Sequence, residues 1–382
     1  MNILDYIDWR GDLSFAAAPL GEVDNLIFAK LSYLDLRGLV PEDFAGAVTL
    51  RALREAYRRE GRLPLSPNSS DPGPLLDKAA ASARFGGVLL RGFRSRTDRE
   101  DQSQFAAVTF CPEAGPACVT FRGTDNSIVG WREDFNFSFL PHTPGQAEAA
   151  RYLSYAGAAL SGPLVVCGHS KGGNFAVYAA AFCAPQLRER IVKVYSDDGP
   201  GFHRSIADSA EYAAVLPKVQ KLLPETSLVG ILLTDRESRK VIRSEAKGLK
   251  QHDPLSWQVQ GPAFVPADAS FASVFMDETL ERWIGGLEDE ERATVVSAIF
   301  DSLDAAGVET LTELNSKRWV SYNAILRAVR GLDPKVVSGV GNALKELAAA
   351  GGDVLWNETR KVFEKLDPTR LLRGGDTTKT EE

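Results

Sequence analysis

The sequence predicts an α/β protein with a doubly wound, mostly parallel sheet, a helical N-terminal flank and a helical C-terminal extension. Three observations predict this class. Strand-like and helix-like segments alternate between residues 86 and 245, apolar residues recur every three or four positions in the first sixty residues, and this helical spacing returns after Trp257. The expected order is helices, then an alternating α/β core, then helices again.

The segments follow one another along the chain. The helical flank is predicted in DNLIFAKLSYLDLRGL and PEDFAGAVTLRALREAYRRE, and the Pro/Gly/Ser-rich loop GRLPLSPNSSDPGP follows it. Strands are predicted in GGVLLRGF, FAAVTF, ACVTFRGT, PLVV, IVKVYS, TSLVGILL and KVIRSE, with helices at TPGQAEAARYLSYAGAAL, NFAVYAAAFC and IADSAEYAAVL. These patterns divide the chain into a helical flank (1–80), an α/β core (81–262), a helical extension (263–370) and a disordered tail (371–382).

Length and composition are those of an ordinary folded protein. The 382 residues are 44% hydrophobic and 25% charged, and the net charge is -7 with a pI near 5.4. Because this balance offers no basic field, no nucleic acid or anionic membrane surface is expected as a partner. The N-terminus MNILDYIDWRGDLSF has no signal-peptide pattern and no apolar run reaches membrane-spanning length, so the expected location is cytoplasmic.

The four cysteines, Cys111, Cys118, Cys167 and Cys183, lack the spacing of metal ligands. We expect them to be reduced core residues. Cys111 and Cys118 flank PEAGPA, a predicted turn between two strands, so a cross-strand disulfide is the alternative if the protein is exported.

The stretch PLVVCGHSKGGNFAVYAA, residues 163–180, carries the main functional signal. Its apolar start predicts a short buried strand, and its alanine-rich end predicts a helix. Gly168 and Gly172 stand two residues before and after Ser170, where a sharp strand-to-helix turn leaves no room for side chains. A serine on such a turn projects away from its backbone. Ser170 is therefore the predicted nucleophile, and the alternative is an idle serine in a glycine-rich turn.

A serine nucleophile needs a base to accept its proton, and the chain has four histidines. If the chain order is serine, acid, histidine, the base follows Ser170, which leaves His203 and His252. His252 follows the last strand-like segment, in GLKQHDPLSW, whereas His203 lies only a few residues after a strand. His252 is the predicted base, and we expect His142 and His169 to be structural.

Several carboxylates are candidates to orient this histidine. Asp198, in YSDDGPGF, follows the first strand beyond the serine and is the predicted acid. Asp197, which should face the opposite way, Glu225 and Asp235 remain open. Each of them is equally able to cap a turn or a helix.

Acyl transfer also needs hydrogen-bond donors for the oxyanion. The backbone N–H of Lys171, directly after the nucleophile, is the first expected donor. Thr124, in VTFRGTDNSIVGWREDF, is the second, through its N–H and its hydroxyl, unless this segment is a simple turn at a strand end. Asp134 is expected to cap a helix or to hold Arg122 in place.

These motifs resemble known families. FRGTDNSIVGWREDFNFSF followed by GHSKGGNFAVYAA is similar to the class 3 lipases, in which the matching oxyanion, nucleophile and base positions are Thr124, Ser170 and His252 here. A closer resemblance, over roughly residues 1 to 260, is to the Mbeg1-like α/β-hydrolase family, with YIDWRGDLSF, EVDNLIFAKLSYLD, VYSDDGPGF, SLVGILL and QHDPLSW as shared hallmarks. The resemblance implies an α/β-hydrolase fold. The lipase acid falls near Glu225, where no aspartate stands, so the acid is left open.

The predicted function is cleavage of a carboxylic ester, in a small molecule or a lipid, through an acyl-enzyme on Ser170. No metal or organic cofactor is expected. The alternatives are an acyltransferase that uses the same triad and a non-catalytic binding protein on the same fold. The C-terminal helices are expected to form either a packing and contact surface or a lid, and the sequence does not indicate an oligomeric state.

Overall fold

The computed structural model describes residues 1–62, 71–270 and 288–310, together with residues 313 and 328. In these residues one sheet has eight strands and a second has two. The strands are β1 Val48–Thr49, β2 Leu89–Asp98, β3 Ser103–Cys111, β4 Ala117–Phe121, β5 Leu164–His169, β6 Ile191–Asp197, β7 Val219–Pro224, β8 Arg239–Ile242, β9 Val259–Gln260 and β10 Ala263–Phe264.

Eleven α-helices accompany these strands within the described residues. They are α1 Ile3–Arg10, α2 Glu22–Leu31, α3 Leu50–Arg59, α4 Gly73–Ala81, α5 Ile128–Asn136, α6 Pro144–Ala159, α7 Lys171–Phe182, α8 Pro185–Arg190, α9 Arg204–Ala207, α10 Ala210–Val215 and α11 Asp289–Ala305. Short 3-10 helices cover Leu216–Lys218, Gly248–His252 and Pro254–Ser256.

The order of the strands in the large sheet follows the chain from β1 to β8 without reversal. Neighbouring strands are antiparallel from β1 to β4 and parallel from β4 to β8. The prediction of a large, mostly parallel sheet flanked by helices is confirmed. The doubly wound order is not found, because such a sheet reverses its strand order at a switch point.

Alternate residues of the strands face two separate hydrophobic cores. On one face, Val119 of β4 and Val166 of β5 pack with apolar residues of α6, α7 and α10. On the other face, Cys118 and Val165 pack with residues of α1 to α4. The helices that connect the parallel strands therefore cover one side of the sheet, and the N-terminal flank covers the other.

The second predicted helix of the flank begins nine residues later than its pattern suggested. Asp43 accepts hydrogen bonds from the N–H groups of Ala45 and Gly46, which makes a turn after Pro41. The short edge strand β1 follows, and the Thr49 hydroxyl then accepts from the N–H of Ala52 to cap α3. Local side-chain hydrogen bonds thus replaced the first turns of the predicted helix.

One predicted strand is wrong. TSLVGILL, residues 226–233, forms turns, and the strand of this region is the preceding segment, β7. The N–H of Gly230 donates to Asp198 Oδ1 at 3.2 Å, so it is not available to a neighbouring strand. A side chain at Gly230 would also place its Cβ 2.2 Å from Leu223 Cδ2. The apolar run is a buried loop that binds a carboxylate.

The described part of the predicted C-terminal extension contains α11. Val296, Phe300 and Leu303 of this helix form a small apolar cluster with Ile128 of α5. Most of the extension and all of the expected tail, 371–382, lie outside the described residues, as does most of the predicted loop at 61–74. No helix of the described ranges combines the length and the apolar character needed to cross a membrane.

All four cysteines are free thiols. Cys118 pairs across the β3–β4 hairpin with Phe110, so Cys111 lies one position further along β3 and points to the other face of the sheet. The alternative disulfide between Cys111 and Cys118 is not formed. The sulfur atom of Cys118 lies instead 3.2 Å from that of Cys167 on the adjacent strand.

A buried ion pair attaches the N-terminal flank to the rest of the fold. Arg84 donates to the Asp24 carboxylate through Nε, at 2.7 Å, and through Nη2, at 2.6 Å, and both side chains are 1% exposed. The remaining guanidinium nitrogen donates to the carbonyl of Ala18 at 2.9 Å. The guanidinium therefore ties α2 and the loop before it to the segment between α4 and β2.

We predict that Arg84→Met lowers the free energy of unfolding by about 3–5 kcal/mol, because Asp24 would stay buried without its cation. Urea unfolding measures this change. The control is Lys78→Met, which removes the exposed ion pair with Asp8 and should cost less than about 1 kcal/mol. Equal costs for the two variants would contradict the assignment.

Candidate active site

Ser170 occupies a strained backbone position between β5 and α7. Its φ is +60° and its ψ is -133°, a conformation that residues with a side chain rarely adopt. The N–H of Ser170 donates to the carbonyl of Asp197 at 2.9 Å, and its own carbonyl accepts from Gly173 at 2.8 Å. These bonds hold the sharp turn that the sequence predicted.

The two glycines of the motif are required by close backbone contacts. A Cβ on Gly168 would lie 2.2 Å from the carbonyl oxygen of Gly172, and a Cβ on Gly172 would lie 2.2 Å from that of Phe121. A Cβ on Gly123, in the loop after β4, would lie 3.0 Å from Ser170 Cβ. The predicted oxyanion loop therefore passes directly beside the serine.

His252 and Asp198 form a hydrogen-bonded pair. His252 ends the 3-10 helix after β8, Asp198 follows β6, and the distance from Nδ1 to Oδ2 is 2.6 Å. Because an ionised carboxylate only accepts hydrogen bonds, we assign the proton of the neutral ring to Nδ1. The other ring nitrogen, Nε2, then has a free lone pair, which is the state that a general base requires.

The His252 loop lies against the serine turn. The rings of His169 and His252 are 4.5 Å apart, and His169 immediately precedes Ser170. The Ser170 hydroxyl makes no hydrogen bond to another residue that the structure describes. Such bonds are often long in unliganded sites, so the arrangement is compatible with proton transfer once a substrate is bound.

The Asp198 carboxylate is buried and receives two further hydrogen bonds. Its Oδ1 accepts from the Ser227 hydroxyl and, at 3.2 Å, from the N–H of Gly230. Three donors thus fix the carboxylate with Oδ2 toward His252. Ser227 and Gly230 were not predicted as site residues, because the pattern of their segment is that of a strand. The only sequence signal was the glycine inside that apolar run.

The other candidate carboxylates have different partners. Asp197 faces away from the site and accepts from the Asn25 amide, and burial raises its pKa well above the usual range. Asp235 pairs with Lys221 at 2.6 Å. Of the four carboxylates that the sequence left open, including Glu225, Asp198 is the one whose described contacts include a histidine.

The other three histidines lie outside the pair. His142 is exposed. His203 lies near Ser205, at 2.8 Å from Nδ1, and near Asp289 of α11, at 3.2 Å from Nε2. His169 is buried, and burial together with the nearby His252 lowers its pKa well below the usual range.

The loop after β4 places Thr124 near the serine, with its hydroxyl already in use. Thr124 Oγ1 donates to Asp134 Oδ2 at 2.5 Å, which leaves the backbone N–H of Thr124 as the expected oxyanion donor. The N–H of Lys171 belongs to the first residue of α7, so it has no acceptor within the helix. Asp134 does not hold Arg122, which pairs with Asp125 at 3.1 Å.

The side chain of Lys171 points away from solvent and is neutralised. Its Nζ lies 3.1 Å from Glu133 Oε2, and both side chains are 0% exposed. Glu133 also accepts from the N–H groups of Gln104 and Gly145. This ion pair fixes the start of α7 to α5 and leaves the backbone N–H of Lys171 as its contribution to the site.

No group of histidine, cysteine, aspartate and glutamate residues in the described ranges has the arrangement of a metal site.

We predict that Asp134→Asn stabilises the protein increasingly as the pH rises from about 4 to 7. Burial raises the pKa of Asp134 from 3.8 to about 6. Over this window the unfolded chain has already lost the proton that the folded protein still holds, so ionisation costs stability as the pH rises. Asparagine cannot ionise, so the variant avoids this cost, which is on the order of 1–3 kcal/mol. Its amide oxygen can still accept the hydrogen bond from the Thr124 hydroxyl. Thermal unfolding of both proteins across pH measures the difference.

Asp125→Asn is the matched control. Burial alone would raise the pKa of Asp125, but Arg122 and hydrogen bonds from Ser127 lower it overall. The wild type therefore gains stability from this group as the pH rises through about 4, and the variant loses that gain. A pH-independent difference for Asp134→Asn would show that its pKa is not raised.

One family comparison bears on the identity of the protein. The family model described as Mbeg1-like matches residues 79–301, which include the serine turn, Asp198, His252 and Thr124. No curated protein matches the sequence. Since the family model covers more than half of the 382 residues, the chain belongs to the Mbeg1-like family.

Proposed function

We propose that the protein is a serine hydrolase of the α/β-hydrolase fold that cleaves carboxylic esters through an acyl-enzyme. Ser170 is the nucleophile, His252 is the base and then the acid, and Asp198 orients His252. The N–H groups of Thr124 and Lys171 bind the oxyanion. The substrate is a small-molecule or lipid ester, as the similarity to class 3 lipases implies.

The observation that carries this proposal is the strained Ser170 beside an oriented histidine. A serine at φ +60° costs on the order of 1–3 kcal/mol, and such strain is concentrated at functional sites. The His252–Asp198 pair, at 2.6 Å, lies on the loops that adjoin this turn. A serine with only a structural role would need neither feature.

The order of the elements supports the proposed fold. Ser170 follows β5, Asp198 follows the adjacent parallel strand β6, and His252 comes after β8. The carboxyl ends of parallel strands meet at one edge of a sheet, where ligands bind in open α/β proteins. The chain order of serine, acid and histidine is that of α/β-hydrolases.

The proposed reaction proceeds in two acyl transfers. His252 Nε2 takes the proton of Ser170 as Oγ attacks the ester carbonyl, and Asp198 stabilises the imidazolium. The carbonyl electrons move onto the oxygen, which the two N–H groups bind. As the C–O bond to the alcohol breaks, His252 protonates the leaving oxygen. Water, deprotonated by the same nitrogen, then cleaves the acyl-serine and restores the enzyme.

The charges around the turn suit this reaction. The Lys171 ammonium, next to the nucleophile, is held by Glu133 and turned away from the serine. The Thr124 hydroxyl donates to Asp134, so the backbone N–H of Thr124 is its proposed donor to the oxyanion. Preorganised backbone donors stabilise a developing charge without further rearrangement.

We predict that a fluorophosphonate probe labels the wild type and does not label Ser170→Ala. The phosphonate reacts only with a serine hydroxyl that a base activates. Intact-mass spectrometry measures the adduct, and circular dichroism checks that the variant is folded. Ser154→Ala, which removes an exposed serine of α6, is the control and should label as the wild type does.

Further outcomes separate the alternatives. A series of p-nitrophenyl esters distinguishes a lipase from an esterase of short-chain substrates. Product analysis with an added alcohol or amine detects acyl transfer. A folded wild type that neither labels nor turns over an ester would favour a binding protein.

We predict that Asp198→Asn lowers kcat by about 10⁴-fold, because the asparagine amide would favour the wrong tautomer of His252. Ester hydrolysis measures the change. Asp235→Asn is the matched control, since Asp235 pairs with Lys221 and does not contact the site, so its rate should stay near that of the wild type. A small effect of Asp198→Asn beside a large effect of Glu225→Gln would reassign the acid to Glu225.

A further inference from the structure

Three side chains of the N-terminal flank contact the immediate sequence neighbours of the three proposed catalytic residues. We propose that Asn25, Lys30 and Tyr33 form a brace, a set of contacts that positions the site from the face of the sheet that the N-terminal flank covers. Asn25 and Lys30 belong to α2, and Tyr33 lies two residues beyond its end. The inference rests on the proposed function and assigns these residues a positioning role in that reaction.

Tyr33 connects the serine turn to the oxyanion loop. Its hydroxyl lies 3.1 Å from Nδ1 of His169, the residue before Ser170, and it also lies against Gly123, the residue before Thr124. The space is tight, because a Cβ on Gly123 would be 2.1 Å from this hydroxyl. The Tyr33 hydroxyl therefore lies between the residue before Ser170 and the residue before Thr124, in contact with both.

His169 extends this connection to the base. Its Nε2 lies 2.8 Å from the carbonyl oxygen of His252. Because a carbonyl oxygen only accepts, Nε2 carries the proton, and in a neutral ring Nδ1 then accepts from the Tyr33 hydroxyl. Burial keeps His169 neutral by lowering its pKa. The chain of bonds from Tyr33 through His169 thus holds the backbone of His252.

Lys30 holds the other side of the His252 loop. Its Nζ lies 3.5 Å from Oδ1 of Asp253, the residue after His252, and Lys30 is 2% exposed. Burial lowers the pKa of Lys30, and Asp253 acts against this shift by favouring the charged form. Burying a lysine costs stability, so packing alone does not account for Lys30 at this position. Its contact with Asp253 accounts for it if Lys30 positions the His252 loop.

Asn25 completes the brace at the acid. Its Nδ2 donates to both carboxylate oxygens of Asp197, at 3.2 and 3.0 Å, and Asp197 precedes Asp198. Asn25 and Asp197 are 0% exposed. The same Asp197 accepts the N–H of Ser170 through its carbonyl oxygen. Asn25 therefore fixes the residue that joins the acid to the nucleophile.

The three contacts come from one short segment, residues 25–33, at and just beyond α2. Asn25 and Lys30 are only five residues apart on one helix, which packs against β4, β5 and β6 and is anchored by the buried Asp24–Arg84 pair. The loops after β4, β5, β6 and β8 come from distant parts of the chain. Their mutual geometry is therefore set by a common support, and displacements of about 1 Å are enough to slow an enzyme about a hundredfold.

The test compares Tyr33→Phe with Tyr6→Phe. Both variants remove a buried tyrosine hydroxyl of the same flank, and Tyr6 donates to Asp24 at 3.0 Å, away from the catalytic loops. We expect similar losses of melting temperature. The rate of fluorophosphonate labelling and kcat should fall about 10- to 100-fold in Tyr33→Phe, with little change in KM, and should stay within about twofold of the wild type in Tyr6→Phe.

Lys30→Met is the second variant, and NMR gives a readout that needs no substrate. The proton between His252 Nδ1 and Asp198 should give a strongly deshielded signal, because the bond is short and charge-assisted. In Tyr33→Phe, the signal of this proton and the signals of the His169 ring nitrogens should shift. In Lys30→Met, the signal of the His252 proton should shift. In Tyr6→Phe, all of these signals should remain unchanged.

The outcomes separate the two proposals. Suppose that the wild type reacts, and that Tyr33→Phe and Tyr6→Phe have equal labelling rates, equal kcat values and equal NMR spectra. This result would show that the three contacts are ordinary packing, and it would overturn the inference. If the wild type does not react with the probe or with esters, the proposed function fails. In that case the NMR shifts alone decide whether the flank positions the His252–Asp198 pair.

Discussion

The strained turn at Ser170 is the constraint on which the rest of the site depends. A serine at φ +60° persists only where its surroundings determine the backbone more strongly than its own preference does. Here the surroundings are a fully buried strand on one side and a helix on the other, with two glycines that allow backbone contacts closer than any side chain permits. The strain is stored locally, and the central strands of the sheet supply the stability that keeps it.

Paired charges allow the polar site to sit in this core. Lys171 and Glu133 are both inaccessible to solvent, as are Arg84 and Asp24, and each of these ions has a partner of opposite sign at about salt-bridge distance. Such pairs contribute little net stability, but loss of either partner leaves an uncompensated buried charge. Their effect is to fix helix ends: α7 is tied to α5, and α2 to the segment before β2. The turn is thereby held from both faces of the sheet.

Local signals in the sequence predicted the elements, whereas the contacts between distant segments were not visible. The strand, turn and helix around Ser170 follow from apolar spacing and two glycines, so their bounds could be located to within three residues. TSLVGILL has the composition of a strand, yet Ser227 and Gly230 use their polar groups on Asp198, which stands 29 and 32 residues earlier. Likewise Tyr33 has an ordinary place in a helical pattern, and only the fold brings it to His169, 136 residues away. Secondary-structure propensity depends on residues that are close in the sequence, whereas these contacts join residues that are far apart in it.

The position of the proposed acid depends on the same long-range contacts. In the class 3 lipases, which the motifs resemble, the carboxylate comes near the position of Glu225, after β7, whereas the proposed acid, Asp198, follows β6. The two strands are adjacent and parallel, and the N–H of Asp198 donates to the carbonyl of Leu222 at 2.8 Å, so a carboxylate after either strand can reach the histidine. With Asp198 after β6 as the proposed acid, the loop after β7 has Glu225, and not an aspartate, at this point. The Ser227 hydroxyl and the Gly230 N–H of this loop donate to Asp198 Oδ1, so the loop after β7 supports the carboxylate proposed as the acid.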